Sequence, residues 1–184
     1  MAPVVARWDR AVVEAVQHVH WGPANWCFEH LSDWWVKSLV IVGIGVAADL
    51  WTRRFPLGAG LGAVSYFAAQ GLSTLLKGVF GRPRPSVVDP AVHPLVAVPH
   101  NGSMPSGHAA TAFAAGVAVG LVHPRLRWPL VVLAALIAFS RVWLGVHYLS
   151  DVLVGSALGT AIALLLWRVS QRLFTEARPK HQRR

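Results

Sequence analysis

Five apolar runs limit what this chain can fold into more than any other feature. They cover residues 36–51, 55–80, 108–122, 128–146 and 150–167. The longer ones meet the ~20 residues needed to cross a hydrocarbon core and the shorter ones approach it. With 54% hydrophobic and only 14% charged residues, the chain lies at the apolar extreme for a soluble domain. In lipid, backbone groups must be satisfied within each segment, so helices are the expected spanning form. The runs predict an all-α fold, a polytopic transmembrane helical bundle of about five spans. The domain division expected is 1–35 as an N-terminal interfacial segment, 36–167 as the membrane domain and 168–184 as a basic tail.

The charge distribution orients these spans. A formal net charge of +9 is compatible with nucleic acid or with an anionic surface. However, Arg53 and Arg54 follow the first span, His123, Arg125 and Arg127 the third, and Arg168, Arg172, Arg178, Lys180, Arg183 and Arg184 the fifth. By the positive-inside rule these connections are cytoplasmic, as is the C-terminus, and the other ends of the helices face outward. The expected location is the plasma (inner) membrane, with membrane lipids as partners and no nucleic acid, since no soluble module offers a basic face. Cys27 is the only cysteine, which excludes an intrachain disulfide and a thiolate metal cluster. The N-terminus lacks the basic-then-apolar pattern of a cleaved signal peptide.

Residues 8–21 place Val12, Val13, Val16 and Val19 at helical spacing between Trp8 and Trp21. This suits either an amphipathic helix at the interface or a helix packed on the bundle. Trp26, Trp34 and Trp35 form an aromatic belt before the first span. Gly58/Gly62, Gly116/Gly120 and Gly155/Gly159 are G-x-x-x-G pairs, expected to serve packing within one subunit. Asp49 is expected at the interface or paired with Arg53. Arg82-Pro83-Arg84-Pro85 ends the second span, because proline cannot continue a helix. A proline-rich polar loop over 86–107 follows, placed to shape substrate entry.

Ionisable groups cluster at the outward ends of the spans. Lys77 closes the second, Arg84 follows seven residues later, Arg141 lies near the end of the fourth and Asp151 opens the fifth. Such groups are costly at membrane depth and mark function by default. One cation alone is explained by snorkelling to the interface, but three on one side need an anion, and guanidinium forks match phosphate oxygens. Met104-Pro105-Ser106-Gly107-His108 opens the third run. The Ser106 hydroxyl and the N–H groups of Gly107 and His108 therefore sit at a helix N-terminus, a seat for a phosphate. His147 and Asp151 are four apart, on one face if helical. Asp151 can then hold Nδ1–H of His147 and leave Nε2 as a nucleophile, with His108 protonating the leaving oxygen. His18, His20, His30, His93, His100, His123 and His181 lack such company and are assigned no role.

Lys77-x6-Arg84-Pro85, Pro105-Ser106-Gly107-His108 and Ser140-Arg141-x5-His147-x3-Asp151 together resemble the three-part signature of the type 2 phosphatidic acid phosphatase superfamily. That superfamily also includes vanadium haloperoxidases and glucose-6-phosphatase. The resemblance spans residues 77–151 with all parts in order. It implies metal-independent hydrolysis of a lipid phosphate or pyrophosphate through a phosphohistidine, with no cofactor. His147 would be the nucleophile, Asp151 its orienting partner and His108 the general acid. Lys77, Arg84, Ser106, Gly107 and Arg141 would hold the phosphate, with Arg82 and Ser140 ranked lower. Membrane members usually have six helices, and the segment 1–35 stands in for the first.

An amphiphilic substrate follows from a site at the ends of membrane helices. Undecaprenyl pyrophosphate is favoured over phosphatidylglycerol phosphate and phosphatidic acid, because the small size resembles bacterial members. A vanadate-dependent oxidase is disfavoured by the absence of a soluble scaffold, and a metal-dependent hydrolase by the scarcity of carboxylates beside three cations. A lipid-phosphate binder or transporter would have no need of a His/Asp pair.

Overall fold

A computed structural model describes residues 2–53 and 56–176. Arg54 and the tail from residue 177, with Arg178, Lys180, His181, Arg183 and Arg184, lie outside the described residues. The described chain is all helical: α1 Ala2–His18, α2 Gly22–Ser32, α3 Trp34–Thr52, α4 Leu57–Phe80, α5 Pro85–Val88, α6 Gly107–Val122, α7 Arg127–Trp143 and α8 Leu149–Glu176, with a 3₁₀ turn Pro124–Leu126 before α7. The five apolar runs correspond to α3, α4, α6, α7 and α8.

Helix α6 is the axis of the bundle. Its sequence, GHAATAFAAGVAVGLV, is rich in alanine and glycine, so α4, α7 and α8 approach it closely on different sides. Ala109, Ala110, Ala114 and Ala118 are fully buried. The glycine pairs make this possible. A Cβ at Gly62 would lie 2.9 Å from Val119 of α6, one at Gly120 would lie 2.9 Å from the Arg127 backbone, and one at Gly155 would lie 2.5 Å from the Ser106 carbonyl. At Gly159 a Cβ would collide with the Ala110 carbonyl. Every one of these contacts is within the chain, as the packing reading of the G-x-x-x-G pairs expected.

Outward faces are apolar: Phe67, Leu75 and Val79 on α4, Val132 on α7, and Leu153 and Leu165 on α8 are all exposed, as lipid-facing positions are. Two segments, Pro124–Trp143 and Leu149–Leu173, are long and apolar enough to cross a membrane. Val40–Thr52 and Gly107–Val122 are shorter apolar helices. Helix α4 has the length, at 24 residues, but Gln70, Ser73, Thr74 and Lys77 reduce its hydropathy.

Several local expectations change. Helix α4 ends because Gly81 takes a left-handed C-cap with φ 54°, one residue before the Arg-Pro-Arg-Pro stretch. Helix α7 stops at Trp143, short of residue 146, because the chain turns at Gly145, φ 72°. The last helix continues nine residues past 167, since neither proline nor glycine interrupts it. Helix α1 packs on the bundle: Val13 is 1% exposed and joins Val142, Tyr148 and Val152, with Val12 and Val16 beside them, while Trp8 and Trp21 stay exposed.

Asp49 is neither interfacial nor paired with Arg53. It is fully buried, and its carboxylate accepts the Gly58 and Ala59 N–H groups at 2.9 and 2.8 Å. It thus caps the N-terminus of α4, where a negative charge is favoured. His123, which the sequence left without a role, completes this knot with Nε2 2.7 Å from Asp49 Oδ1.

Candidate active site

At the opposite end of α4 and α6, four segments converge. Ser106 caps α6, its Oγ accepting from the Ala109 N–H at 3.5 Å. Gly107 and His108 form the first helical turn. Helix α7 brings Arg141 in its last turn, and the turn at Gly145 then returns the chain, with the His147 N–H donating to the Arg141 carbonyl at 3.2 Å. Helix α8 starts at once, and Asp151 in its first turn accepts the Tyr148 N–H at 2.9 Å, the carboxylate half of a capping box. Lys77 arrives on the last turn of α4, and Arg84 in the connection before α5.

His147 lies before α8, in the α7–α8 turn, and not on a helix shared with Asp151. The expected contact forms all the same, with His147 Nδ1 3.4 Å from Asp151 Oδ2. On the other side of the ring, Nε2 sits 3.1 Å from Arg84 Nη1. A guanidinium only donates, so Nε2 presents its lone pair and the ring proton is on Nδ1, facing Asp151. The residue is almost fully buried. Burial first, then the Arg84, Arg141 and Lys77 charges, holds its pKa well below the usual histidine value, so the imidazole is neutral.

The cations are fixed by carbonyls. Lys77 Nζ donates to the Gly102 and Ser103 carbonyls at 2.6 and 3.3 Å. Arg84 donates to the Pro99, Asn101 and Val146 carbonyls at 3.1, 3.1 and 2.8 Å and to Asn101 Oδ1 at 2.8 Å. The 86–107 loop therefore builds the seat of these cations. Arg141 is 6% exposed and its Nε has no acceptor among the described residues. A buried donor of this kind is a standing cost, which an anion would remove.

These groups wall a cavity of about 430 Å³, lined by Lys77, Arg84, Gly107, His108, Arg141 and His147 at one end and by Tyr66, Phe67, Gln70, Ser73 and Thr74 of α4 at the other. No carboxylate lines it, and no group of three or more His, Cys, Asp or Glu able to hold a metal occurs among the described residues. Ser106, next to Gly107 on this wall, is fully buried, and its hydroxyl accepts the Ala109 N–H as the helix cap, which leaves its own O–H proton to donate.

One contributor escaped the sequence reading and a second was ranked low in it. Ser32, at the end of α2, accepts from His108 Nε2 at its carbonyl, 2.9 Å away, and from Arg141 Nη1 at its hydroxyl. The carbonyl can only accept, so His108 Nε2 carries a proton. The second is Arg82, which bonds Asp151 Oδ1 at 2.8 Å and Asp9 Oδ2 at 2.7 Å. Nothing in the local sequence marks Ser32 as a site residue.

A neutral, buried histidine with its lone pair among three cations, backed by a carboxylate, is an arrangement for phosphoryl transfer. Comparison with known proteins agrees: the PAP2 superfamily matches residues 59–175. The chain belongs to the PAP2 superfamily. It is 32% identical over 136 residues to the undecaprenyl-diphosphatase BcrC of Bacillus subtilis (strain 168), covering 74% of this chain and 68% of that protein. It is 39% identical over 142 residues to the decaprenylphosphoryl-5-phosphoribose phosphatase of Mycobacterium tuberculosis (strain ATCC 25618 / H37Rv), covering 75% of this chain and 72% of that one. Among solved structures, the transmembrane PAP2 type phosphatidylglycerolphosphate phosphatase from Bacillus subtilis superposes with a TM-score of 0.75 at 25% identity, covering 92% of this chain and 87% of that one. This PAP2 protein is a membrane enzyme, a lipid phosphatase, and phosphohistidine chemistry is general to its family.

Proposed function

We propose that His147 is the nucleophile of this PAP2 phosphatase, that Asp151 orients it, and that His108 is the general acid and base. Lys77, Arg84, Arg141, the Ser106 hydroxyl and the backbone N–H groups of Gly107 and His108 hold the phosphate. The observation that carries this reading is the Arg84–His147–Asp151 alignment, in which only the Nδ1–H tautomer satisfies both neighbours. In the first step the Nε2 lone pair of His147 attacks phosphorus in line, the bond to the leaving oxygen breaks, and His108, as an imidazolium whose Nε2–H stays on the Ser32 carbonyl, gives that oxygen its Nδ1 proton. In the second, His108 takes a proton from water, the water oxygen attacks phosphorus, and the N–P bond breaks to release phosphate. The cations stabilise charge on the equatorial oxygens of a loose transition state, and Asp151 stabilises the imidazolium.

The substrate is an amphiphile carrying its phosphate on a polyprenyl chain. Along α4 the lining changes from Lys77 to Thr74, Ser73 and Gln70 and then to Phe67 and Tyr66. This order suits a phosphate, a polar linkage and an apolar tail in turn. Two relatives are named for polyprenyl phosphates, which supports this class. Five helices, α3, α4, α6, α7 and α8, cross the membrane in this reading. The site faces the extracytoplasmic side and the basic C-terminal tail from residue 168 is cytoplasmic, with α1 and α2 packed at the outer surface beside the spanning helices. The positive-inside pattern of Arg53, Arg125, Arg127, Arg168 and Arg172 supports that orientation.

The test is phosphate release by purified protein in detergent with EDTA present, comparing undecaprenyl pyrophosphate, a polyprenyl-linked sugar phosphate, phosphatidylglycerol phosphate and phosphatidic acid. The polyprenyl substrates are expected to have the highest kcat/KM. Equal or faster turnover of the glycerolipids would overturn the substrate class.

A further inference from the structure

Asp9 lies on α1, far in sequence from every motif, yet it is 4% exposed. Its Oδ1 accepts the Ser150 N–H at 2.9 Å, and its Oδ2 accepts from Arg82 Nη2 at 2.7 Å and from the Ser150 hydroxyl at 2.5 Å. Arg82 Nη1 in turn donates to Asp151 Oδ1 at 2.8 Å and to Ser150 Oγ at 2.6 Å. The guanidinium lies over the Tyr148 ring, 4.1 Å from its centroid. A continuous chain therefore runs Asp9–Arg82–Asp151–His147, from the N-terminal helix to the imidazole.

The charges along this chain are balanced. Arg82 fixes Oδ1 of Asp151, so that Oδ2 faces the His147 ring. Taken alone, however, a guanidinium 2.8 Å from Asp151 would offset the negative charge the imidazolium needs. A second carboxylate on the far side of Arg82 cancels that opposition. The Arg82–Asp9 unit then positions Asp151 without weakening it. Docking of α1 alone would require only the apolar contacts of Val13 and its neighbours, which have no use for a partly buried ion pair.

We propose that Asp9 and Arg82 are positioning residues for the His147–Asp151 pair, so that the N-terminal helix is part of the catalytic apparatus and not only a packing element. The inference rests on the assignment of His147 above.

The experiment compares Asp9→Asn, the double variant Asp9→Asn/Arg82→Gln, Val13→Ala and His147→Ala, each measured for kcat, KM and thermal unfolding in detergent. Asp9→Asn keeps an acceptor for the Ser150 N–H but leaves the Arg82 charge uncancelled. Its kcat is expected to fall about tenfold, the scale of losing an outer partner of a functional group, with KM within about twofold of the original. The double variant removes the excess positive charge and keeps an N–H donor for Asp151, so kcat is expected to recover at least half of that loss in logarithmic terms. Val13→Ala loosens α1 without touching charge and should lower the melting temperature while kcat holds. The inference is overturned if Asp9→Asn retains its kcat, if the double variant shows no recovery, or if Val13→Ala loses kcat as much as Asp9→Asn does. Activity in His147→Ala would instead sink the nucleophile assignment, a different failure with a different signature.

Discussion

Gly155→Ala joins packing to chemistry most directly. A Cβ at this position would stand 2.5 Å from the Ser106 carbonyl, 3.3 Å from the Ser106 carbonyl carbon and 3.2 Å from the Ala109 Cβ. Two of these are backbone atoms at the start of α6, so no flexible side chain can swing away. Relief requires α8 and the N-terminus of α6 to separate by roughly 1 Å, and overpacking of this kind costs about 1–3 kcal/mol. In a chain of this size each kcal/mol is worth about 2–4 °C of melting temperature. The same displacement separates His147 and Asp151, fixed to the start of α8, from Gly107 and His108, fixed to the start of α6. The Ser106 N–H to Asp151 carbonyl bond, 3.0 Å, lies across that seam. A misplacement of about 1 Å can cost on the order of 10²-fold in rate. The assay is kcat for phosphate release together with thermal unfolding in detergent. Gly60→Ala serves as control, because a Cβ there meets nothing within 4 Å, and it should preserve both. Retention of kcat and melting temperature by Gly155→Ala would refute the claim that this seam sets the site geometry.

Arg84→Lys keeps the charge but cannot reproduce a fork that reaches four carbonyls, Asn101 Oδ1 and His147 Nε2 together; kcat/KM should fall at least about 10²-fold, or about 2.7 kcal/mol, and a loss under threefold would contradict the fork's role. Asp49→Ala strips the cap from α4 and leaves two N–H groups and His123 without their acceptor; unfolding should show a loss of about 2–4 kcal/mol. Its kcat per folded molecule should hold, since Gly58 and Lys77 are separated by roughly 28 Å of helix, and a selective loss of kcat would show coupling between the two ends of the bundle. Vanadate should inhibit competitively by occupying the three-cation seat, while EDTA leaves turnover unchanged; restoration of EDTA-treated enzyme by a divalent ion would point to metal chemistry instead.

The helices and the chemistry were legible to different depths. Apolar runs place α3, α4, α6, α7 and α8, because burial and lipid exposure both write themselves into hydrophobicity. Ends were harder to read, since Gly81 and Gly145 act through a positive φ that competes with the neighbouring prolines and with continued apolar sequence. The cations Lys77, Arg84 and Arg141 could be read because charge is expensive on such helices, and each of them lines the cavity. The His147–Asp151 contact was expected from helical spacing, but it arises from a turn followed by a capping residue, so the spacing pointed to the right pair through the wrong backbone. Ser106 shows another limit: a hydroxyl at a helix start can accept the cap N–H and still donate to a ligand, and the motif alone does not separate the two uses. What remained illegible is long-range pairing. Asp9 reaches Ser150 across 141 positions, His123 meets Asp49 across 74 and Ser32 meets His108 across 76, and no local period encodes such partners.

The central claim, that His147 carries the phosphoryl group, is tested most directly by rapid quenching of the enzyme with a ³²P-labelled lipid phosphate under alkaline conditions. Phosphohistidine survives alkali and is lost in acid. One acid-labile, alkali-stable label is expected on the peptide containing His147, formed within a single turnover and absent from His147→Ala, which should also be inactive. A label on another residue, or turnover by His147→Ala, would contradict it.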